Sequence, residues 1–340
     1  MIDVNNNAYA YGKPLTAGVF KATAADFRVD EILGFELSGT GEHQFLKIEK
    51  SGLNTEELIK RLAKAIEKPV KLISHAGLKD RQAITMQWLS VHCPGEEIAG
   101  LDELSGQGWR VLEHHRHLKK LKIGGLHGNQ FTLVLREIDD HEALEKRLAC
   151  IKASGVPNYF GSQRFGRDGQ NVVKAEAVLL KGQKVKDRFL RGMYYSAARS
   201  YLFNRILSRR VEQQTWNKAL SGDVMQLAGS HSLFKIDTPD ELIVQRMIEQ
   251  DISPASVLWG KGEDLVRLEA QTIQQLALSG FEPWCRALEE HDLSRAYRAH
   301  VLQLENFTWD WQSDSLTLSF ALTAGSYATS VLRELISDAG

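Results

Sequence analysis

Both ends of this chain alternate apolar and polar residues with the two-residue period of strands, while its middle is helical in pattern. This order is the strongest constraint on the fold. Near the start, Phe27, Val29 and Glu31 share one face and Arg28, Asp30 and Ile32 the other, and residues 43–48 read as a second strand. Asn54 followed by Glu57 opens a helix like a capping box, with Leu58, Leu62 and Ile66 on its apolar face. Further strands are expected over 70–74, 86–91, 109–113 and 130–138; in the last, Phe131, Leu133 and Leu135 share one side. A helix over 142–153 should end at Gly155, ahead of Pro157. The middle reads as a long basic helix over 188–211, a helix opened by Thr238, Pro239 and Glu241, and another over 264–278. Strand patterns return over 302–311 and 316–322, and a last helix follows Gly325. The expectation is an α+β protein. Residues 1–152 and 302–340 would form one discontinuous domain with a mixed, largely antiparallel sheet flanked by helices. Residues 153–301 would be inserted into it as a mainly helical α/β domain.

A length of 340 residues, 43% of them hydrophobic, gives room for two cores. No apolar run approaches eighteen residues and residues 1–11 lack a signal-peptide pattern, so a cytoplasmic location and no membrane contact are expected. Cys93, Cys150 and Cys285 stand too far apart for a zinc motif and read as small buried hydrophobes in a reducing compartment. The net charge of −1 hides a segregation. Residues 158–218 carry thirteen Lys/Arg against four Asp/Glu, and residues 110–136 carry six against one, leaving −15 for the rest. Segregated positive charge is the footprint of a polyanion partner. Aromatics interleave with it at Tyr159, Phe160, Phe165, Phe189, Tyr194, Tyr195, Tyr201 and Phe203, and aromatic rings with Arg are what unpaired bases stack on.

Chemistry concentrates in residues 75–85, HAGLKDRQAIT, where Asp80 lies between Lys79 and Arg81 on a short polar loop. Neighbouring positive charge keeps a carboxylate ionised, which suits attack on a sugar or proton abstraction better than proton donation. His114, His115 and His117 cannot all point one way on a strand, and no Cys or carboxylate is spaced to complete a metal site with them. They read instead as part of a basic stretch running into Lys119, Lys120 and Lys122. No phosphate loop or dinucleotide fingerprint is present.

The 75–85 loop, residues 155–166 (GVPNYFGSQRFG) and residues 325–335 (GSYATSVLREL) together resemble the TruD family of transfer-RNA pseudouridine synthases. The likeness extends to Lys21 with residues 26–31 (DFRVDE) and to residues 128–136 (GNQFTLVLR), and so runs nearly end to end. One departure is Thr323, where many members carry Pro, and residues 213–298 match only loosely. The resemblance implies a pseudouridine synthase catalytic domain interrupted by an insertion domain. It implies isomerisation of uridine at position 13 of certain transfer RNAs, with no cofactor and no metal. On the matching positions, Asp80 would be the catalytic carboxylate and Lys21 its charge partner. Phe131 would stack on the target base, with Asn129 on the same strand start. Asn158, Gln163 and Arg164 would hold RNA, and Arg333 would pair with Glu334. Whether Asp80 attacks C1′ or takes the proton at C2′ stays open.

Two other readings compete. A non-catalytic RNA-binding or folding factor would keep the basic segments without needing Asp80. A nucleoside glycosidase would recruit a second carboxylate to handle water, nominally Asp26 or Glu31. A monomer is expected, since no long exposed apolar seam is visible.

Overall fold

The computed structural model describes residues 3–291 and 293–337. Their contacts divide them into two compact units, one of residues 16–141 and 304–325, the other of residues 3–15, 142–303 and 326–337.

The first unit is built on a ten-stranded sheet. Its longest strand, Leu126–Arg136, pairs antiparallel with Phe27–Leu33 on one side and Ser315–Thr323 on the other. Phe27–Leu33 then runs parallel to Ile84–His92, which pairs antiparallel with His43–Lys50, and that with Trp109–His117. The expected mixed, largely antiparallel sheet is what forms. Alternation decides the faces: Phe131, Leu133 and Leu135 are buried while Thr132 and Val134 are half-open. The helix Thr55–Ala65 starts where Asn54 accepts the Glu57 amide. It lays Leu58, Ile59 and Leu62 against Leu46, Ile48, Leu89 and Val111 of the sheet. Each such leucine, fully buried, contributes roughly 1.5–3 kcal/mol.

The second unit centres on the helix Arg188–Glu212, capped by Asp187, whose carboxylate accepts the Phe189 and Leu190 amides. Its aromatic face is core: Tyr194, Tyr195, Tyr201 and Phe203 are buried with Tyr159, Phe160 and Phe165. Seven of the eight rings that interleave with the basic residues are therefore packing, and Phe189 alone of them stands open, at 78% exposure. The basic count is discounted likewise. Arg210 is buried against Asp223 at 2.9 Å, and Arg199 donates to the Leu258 and Ser294 carbonyls. A four-stranded antiparallel sheet completes the unit, in the order Leu233–Lys235, Val224–Leu227, Ile252–Leu258, Ala296–Ala299.

These strands and the helices Gln170–Leu180 and Glu282–Glu289 were not legible in pattern. Ile252–Leu258 holds Pro254 and two serines and does not alternate. Other boundaries move for local reasons. Pro69 opens a 3-10 turn over Val70–Leu72, so the expected 70–74 strand is Ile73–His75. Asp240, rather than Thr238, caps the helix Glu241–Ile248 by accepting the Ile243 amide. The expected 302–311 strand splits, because Val301–Leu302 pairs with Val156–Pro157 while Glu305–Gln312 joins the large sheet. At the first of these pairings Gly155 has φ +72, and a Cβ there would lie 2.6 Å from the Leu302 carbonyl. Cys93 and Cys285 are buried as expected, but Cys150 is exposed.

The contact division differs from a boundary drawn at 152/153 and 301/302. Glu334 of the final helix, Ala328–Leu335, accepts the Ala10 amide at 3.0 Å, and Tyr11 Oη donates to the Gly155 carbonyl at 2.6 Å. Ser330 Oγ donates to the Tyr159 carbonyl. Residues 3–15 and the last helix thus belong by contact with the helical unit, a long-range attachment that periodicity does not encode.

Candidate active site

The 75–85 loop joins Ile73–His75 to Ile84–His92, two strands that pair with each other antiparallel. It is held from beneath by three buried polar side chains. Lys50 Nζ donates to the Asp80 carbonyl at 2.8 Å, Thr55 Oγ1 accepts the Lys79 amide at 2.9 Å, and Gln87 Nε2 donates to the Gly77 carbonyl at 2.8 Å. Thr55 Oγ1 in turn donates to Gln87 Oε1 at 3.0 Å.

The loop presents the Asp80 carboxylate, whose side chain is 39% exposed. Lys21 Nζ reaches Oδ2 at 2.7 Å and the Gln82 amide reaches Oδ1 at 3.0 Å. Burial pushes the carboxyl up, but the Lys21 hydrogen bond, the Gln82 amide and the charges of Lys21 and Lys50 outweigh it. The acid is held below its ordinary range. Ionisation was expected from Lys79 and Arg81, and here the source differs. Arg81 is exposed, and Lys79 points to Glu31 Oε1 at 3.1 Å and to Asn129 Oδ1. Adjacent side chains on this loop reach different partners, Lys79 to Glu31 and Asp80 to Lys21, so sequence neighbours make poor charge partners.

Lys21 follows the Val19–Phe20 strand with φ +56, a left-handed backbone that costs a non-glycine residue about 1–2 kcal/mol. Its ammonium also lies over the Phe27 ring, 4.3 Å from the centroid. Phe27 meets Phe131 at 6.1 Å, and Phe131 stacks on Phe320 at 5.6 Å. Phe131 itself is 7% exposed. An aromatic row therefore runs from the Lys21–Asp80 pair into the sheet, and Phe27, read from sequence only as a strand residue, is its first ring.

Asn129 and Glu31 are cross-strand partners, with Lys79 bridging them. Glu31 is fully enclosed and Oε2 accepts the Trp88 amide at 2.7 Å. Burial raises its pKa in spite of Lys79. Asp26 is also enclosed, bound by Arg136 at 2.7 Å. Both carboxylates nominated for a glycosidase are thus already engaged.

The remaining expected site residues lie in the other unit. Asn158 is buried, its amide donating to the Ala299 carbonyl at 3.0 Å and accepting from Arg298. Gln163 is exposed, and the Arg164 guanidinium lies 5.4 Å from the Phe160 ring centroid. Arg333 pairs with Glu334 at 2.7 Å as expected. The three histidines take separate partners: His114 faces Asp102, His115 faces Glu113, and His117 stacks on Phe35. Among the described residues no three His, Cys, Asp or Glu side chains gather to hold a metal ion.

The sequence signals for Lys50, Thr55 and Gln87 were weak. Lys50 ends a strand whose alternate residues are buried, and Thr55 looks like an ordinary first helical residue. Glu31 was more visible, sharing the apolar face of Phe27 and Val29.

Known proteins match this chain along nearly its whole length. The model of the family "tRNA pseudouridine synthase D (TruD)" matches residues 3–185 and 170–335. A tRNA pseudouridine synthase D of Legionella pneumophila is 53% identical over 96% of this chain and 97% of its own. Its counterpart in Colwellia psychrerythraea is 42% identical over 97% of this chain and 92% of its own. Among solved structures, the putative tRNA pseudouridine synthase D of Methanosarcina mazei shares the fold. Its TM-score is 0.76 at 21% identity, covering 98% of this chain and 96% of that one. On this evidence the chain belongs to the TruD family of tRNA pseudouridine synthases.

Proposed function

We propose that this chain isomerises uridine to pseudouridine at position 13 of transfer RNA, with Asp80 as the single catalytic carboxylate and no cofactor. The observation that carries the reading is the Lys21–Asp80 pair at 2.7 Å, on a carboxylate held below its ordinary range yet open to solvent. In the reaction the N1–C1′ bond breaks, the uracil turns, and a C5–C1′ bond forms. The proton lost at C5 balances the one gained at N1. Asp80 either attacks C1′ or takes the C2′ proton, and each route needs it ionised at neutral pH. Lys21 serves that end. Phe131 stacks on the extruded base and Asn129 contacts it, with Phe27 as a further ring beside Lys21.

In the helical unit, Gln163 and Arg164 contact RNA backbone, and Asn158 shapes their motif through Arg298. The exposed run of Lys181, Lys184, Lys186 and Arg188 beside the open Phe189 supports an RNA-facing surface there. The protein acts as a monomer in the cytoplasm; no helix among the described residues is long and apolar enough to cross a membrane. The engagement of Asp26 by Arg136 and of Glu31 by Lys79 and Trp88 counts against a glycosidase.

The test is base-resolved detection on unmodified transfer RNA after incubation with the pure protein. Pseudouridine at position 13 supports the reading. Free uracil with loss of the base from RNA would mark a glycosidase, and RNA binding without conversion would mark a folding factor.

A further inference from the structure

Lysine is among the residues least often fully buried, yet Lys50 has 0% exposure. It ends the His43–Lys50 strand, where its backbone pairs with Thr85 on one side and Trp109 on the other. Nζ donates to two carbonyls at 2.8 Å, those of Leu53 and Asp80. Burial drives its pKa down to about 8, Lys79 pushes the same way, and Asp80 and Glu31 oppose them. Those three are the charged groups that face it, two from the loop and one from the Phe27–Leu33 strand; its cross-strand neighbours are uncharged.

A buried ammonium is a poor stability device, since an apolar side chain of similar volume often serves a fold as well or better. Its value must then lie in what it holds. Lys50, Thr55 and Gln87 grip the loop at three peptide groups, those of Asp80, Lys79 and Gly77. The grip fixes where the Asp80 side chain leaves the backbone. The charge of Lys50 also adds to the field that keeps that carboxylate ionised. Misplacement of a reacting group by a fraction of an ångström is costly to rate, and a group can supply this precision without touching substrate.

We propose that Lys50 is a positioning residue for the isomerisation, fixing the Asp80 peptide from beneath and backing its carboxylate with buried positive charge. The proposal rests on the reading of Asp80 as the catalytic carboxylate.

The experiment compares wild type, Lys50→Met and Lys50→Gln in single-turnover conversion of unmodified transfer RNA across pH, with RNA affinity and thermal midpoint measured alongside. Lys50→Met should lose about 10–100-fold in rate with affinity within about twofold. Its acid limb should move to higher pH, because Asp80 has lost a positive neighbour. Lys50→Gln, which keeps a donor but no charge, should recover part of the rate and none of the acid-limb shift. A Lys50→Met protein with wild-type rate and an unmoved acid limb would overturn the proposal. If neither variant folds, Lys50→Arg decides, since it keeps the charge but cannot repeat both 2.8 Å contacts: a slower rate with an unmoved acid limb supports the role, and a wild-type rate refutes it. Failure of the wild type to convert any uridine would strike the assigned reaction instead, so the two failures are distinguishable.

Discussion

Lys79 and Glu31 form an ion pair at 3.1 Å, so the lysine next to Asp80 in sequence is committed to a different carboxylate. The Glu31 side chain is fully enclosed and that of Lys79 nearly so. Removing one partner of such a pair leaves the other buried without compensation. Glu31→Ala should therefore destabilise the fold by about 3–5 kcal/mol, and a Glu31→Leu, Lys79→Met double variant should recover most of it. Urea unfolding of the three proteins checks this.

Lys21 governs the acidity of Asp80. A depressed carboxylate pKa means that the ionised form persists as pH falls, and is lost only below the ordinary range. Lys21→Met should raise the acid limb of the pH–rate profile and slow conversion at neutral pH by about 100-fold or more. Lys21→Arg should retain the limb better than the rate, since its fork cannot repeat a single 2.7 Å contact without shifting.

The packing of Phe131 can be separated from the base-stacking role proposed for it. As a ring 7% exposed between Phe27 and Phe320, its loss in Phe131→Ala should cost about 3–5 kcal/mol of stability. Phe131→Leu fills much of the same space and should fold, yet lose conversion out of proportion to its stability if the ring stacks on the base. Thermal midpoints beside single-turnover rates make the comparison.

Burial of Lys50 gives stability a signature at alkaline pH. Its folded pKa of about 8 lies below the unfolded value of 10.5, so between those values the unfolded chain binds the extra proton. The contribution of Lys50 to stability therefore rises as pH climbs from about 8 to 10.5, and Lys50→Met should flatten that rise. Chemical denaturation at a series of pH values reads it.

The run from Lys181 to Arg188 should act through charge alone. Replacing Lys184, Lys186 and Arg188 with Ala should weaken transfer-RNA binding and reduce the slope of log affinity against log salt by up to about 2–3, leaving the rate of bound RNA unchanged. Titrations at several salt concentrations test both halves.

Strand alternation made the large sheet legible, since one buried face imposes a two-residue period on Phe131, Leu133 and Leu135. Asp80 and Lys21 were legible as a family motif, and their 2.7 Å contact brings together residues 59 apart in sequence. What stayed hidden depends on long-range geometry. Asp80 is served by Lys21 and Lys50 while Lys79 turns away, and nothing in a Lys-Asp-Arg triplet encodes that choice. The aromatic and basic pattern of Arg188–Glu212 looked like a nucleic-acid surface because core tyrosines and binding tyrosines are the same residue type. Burial, which the sequence does not state, separates them. The small sheet around Ile252–Leu258 escaped because Pro254 and its serines break alternation.

The most direct measurement is base-resolved pseudouridine detection on unmodified transfer RNA treated with wild type or with Asp80→Asn, a near-isosteric change that removes the charge and turns one acceptor oxygen into a donor. The account predicts conversion at position 13 by the wild type and none by the variant, with both proteins folded and binding RNA alike. Equal conversion by the two would contradict it.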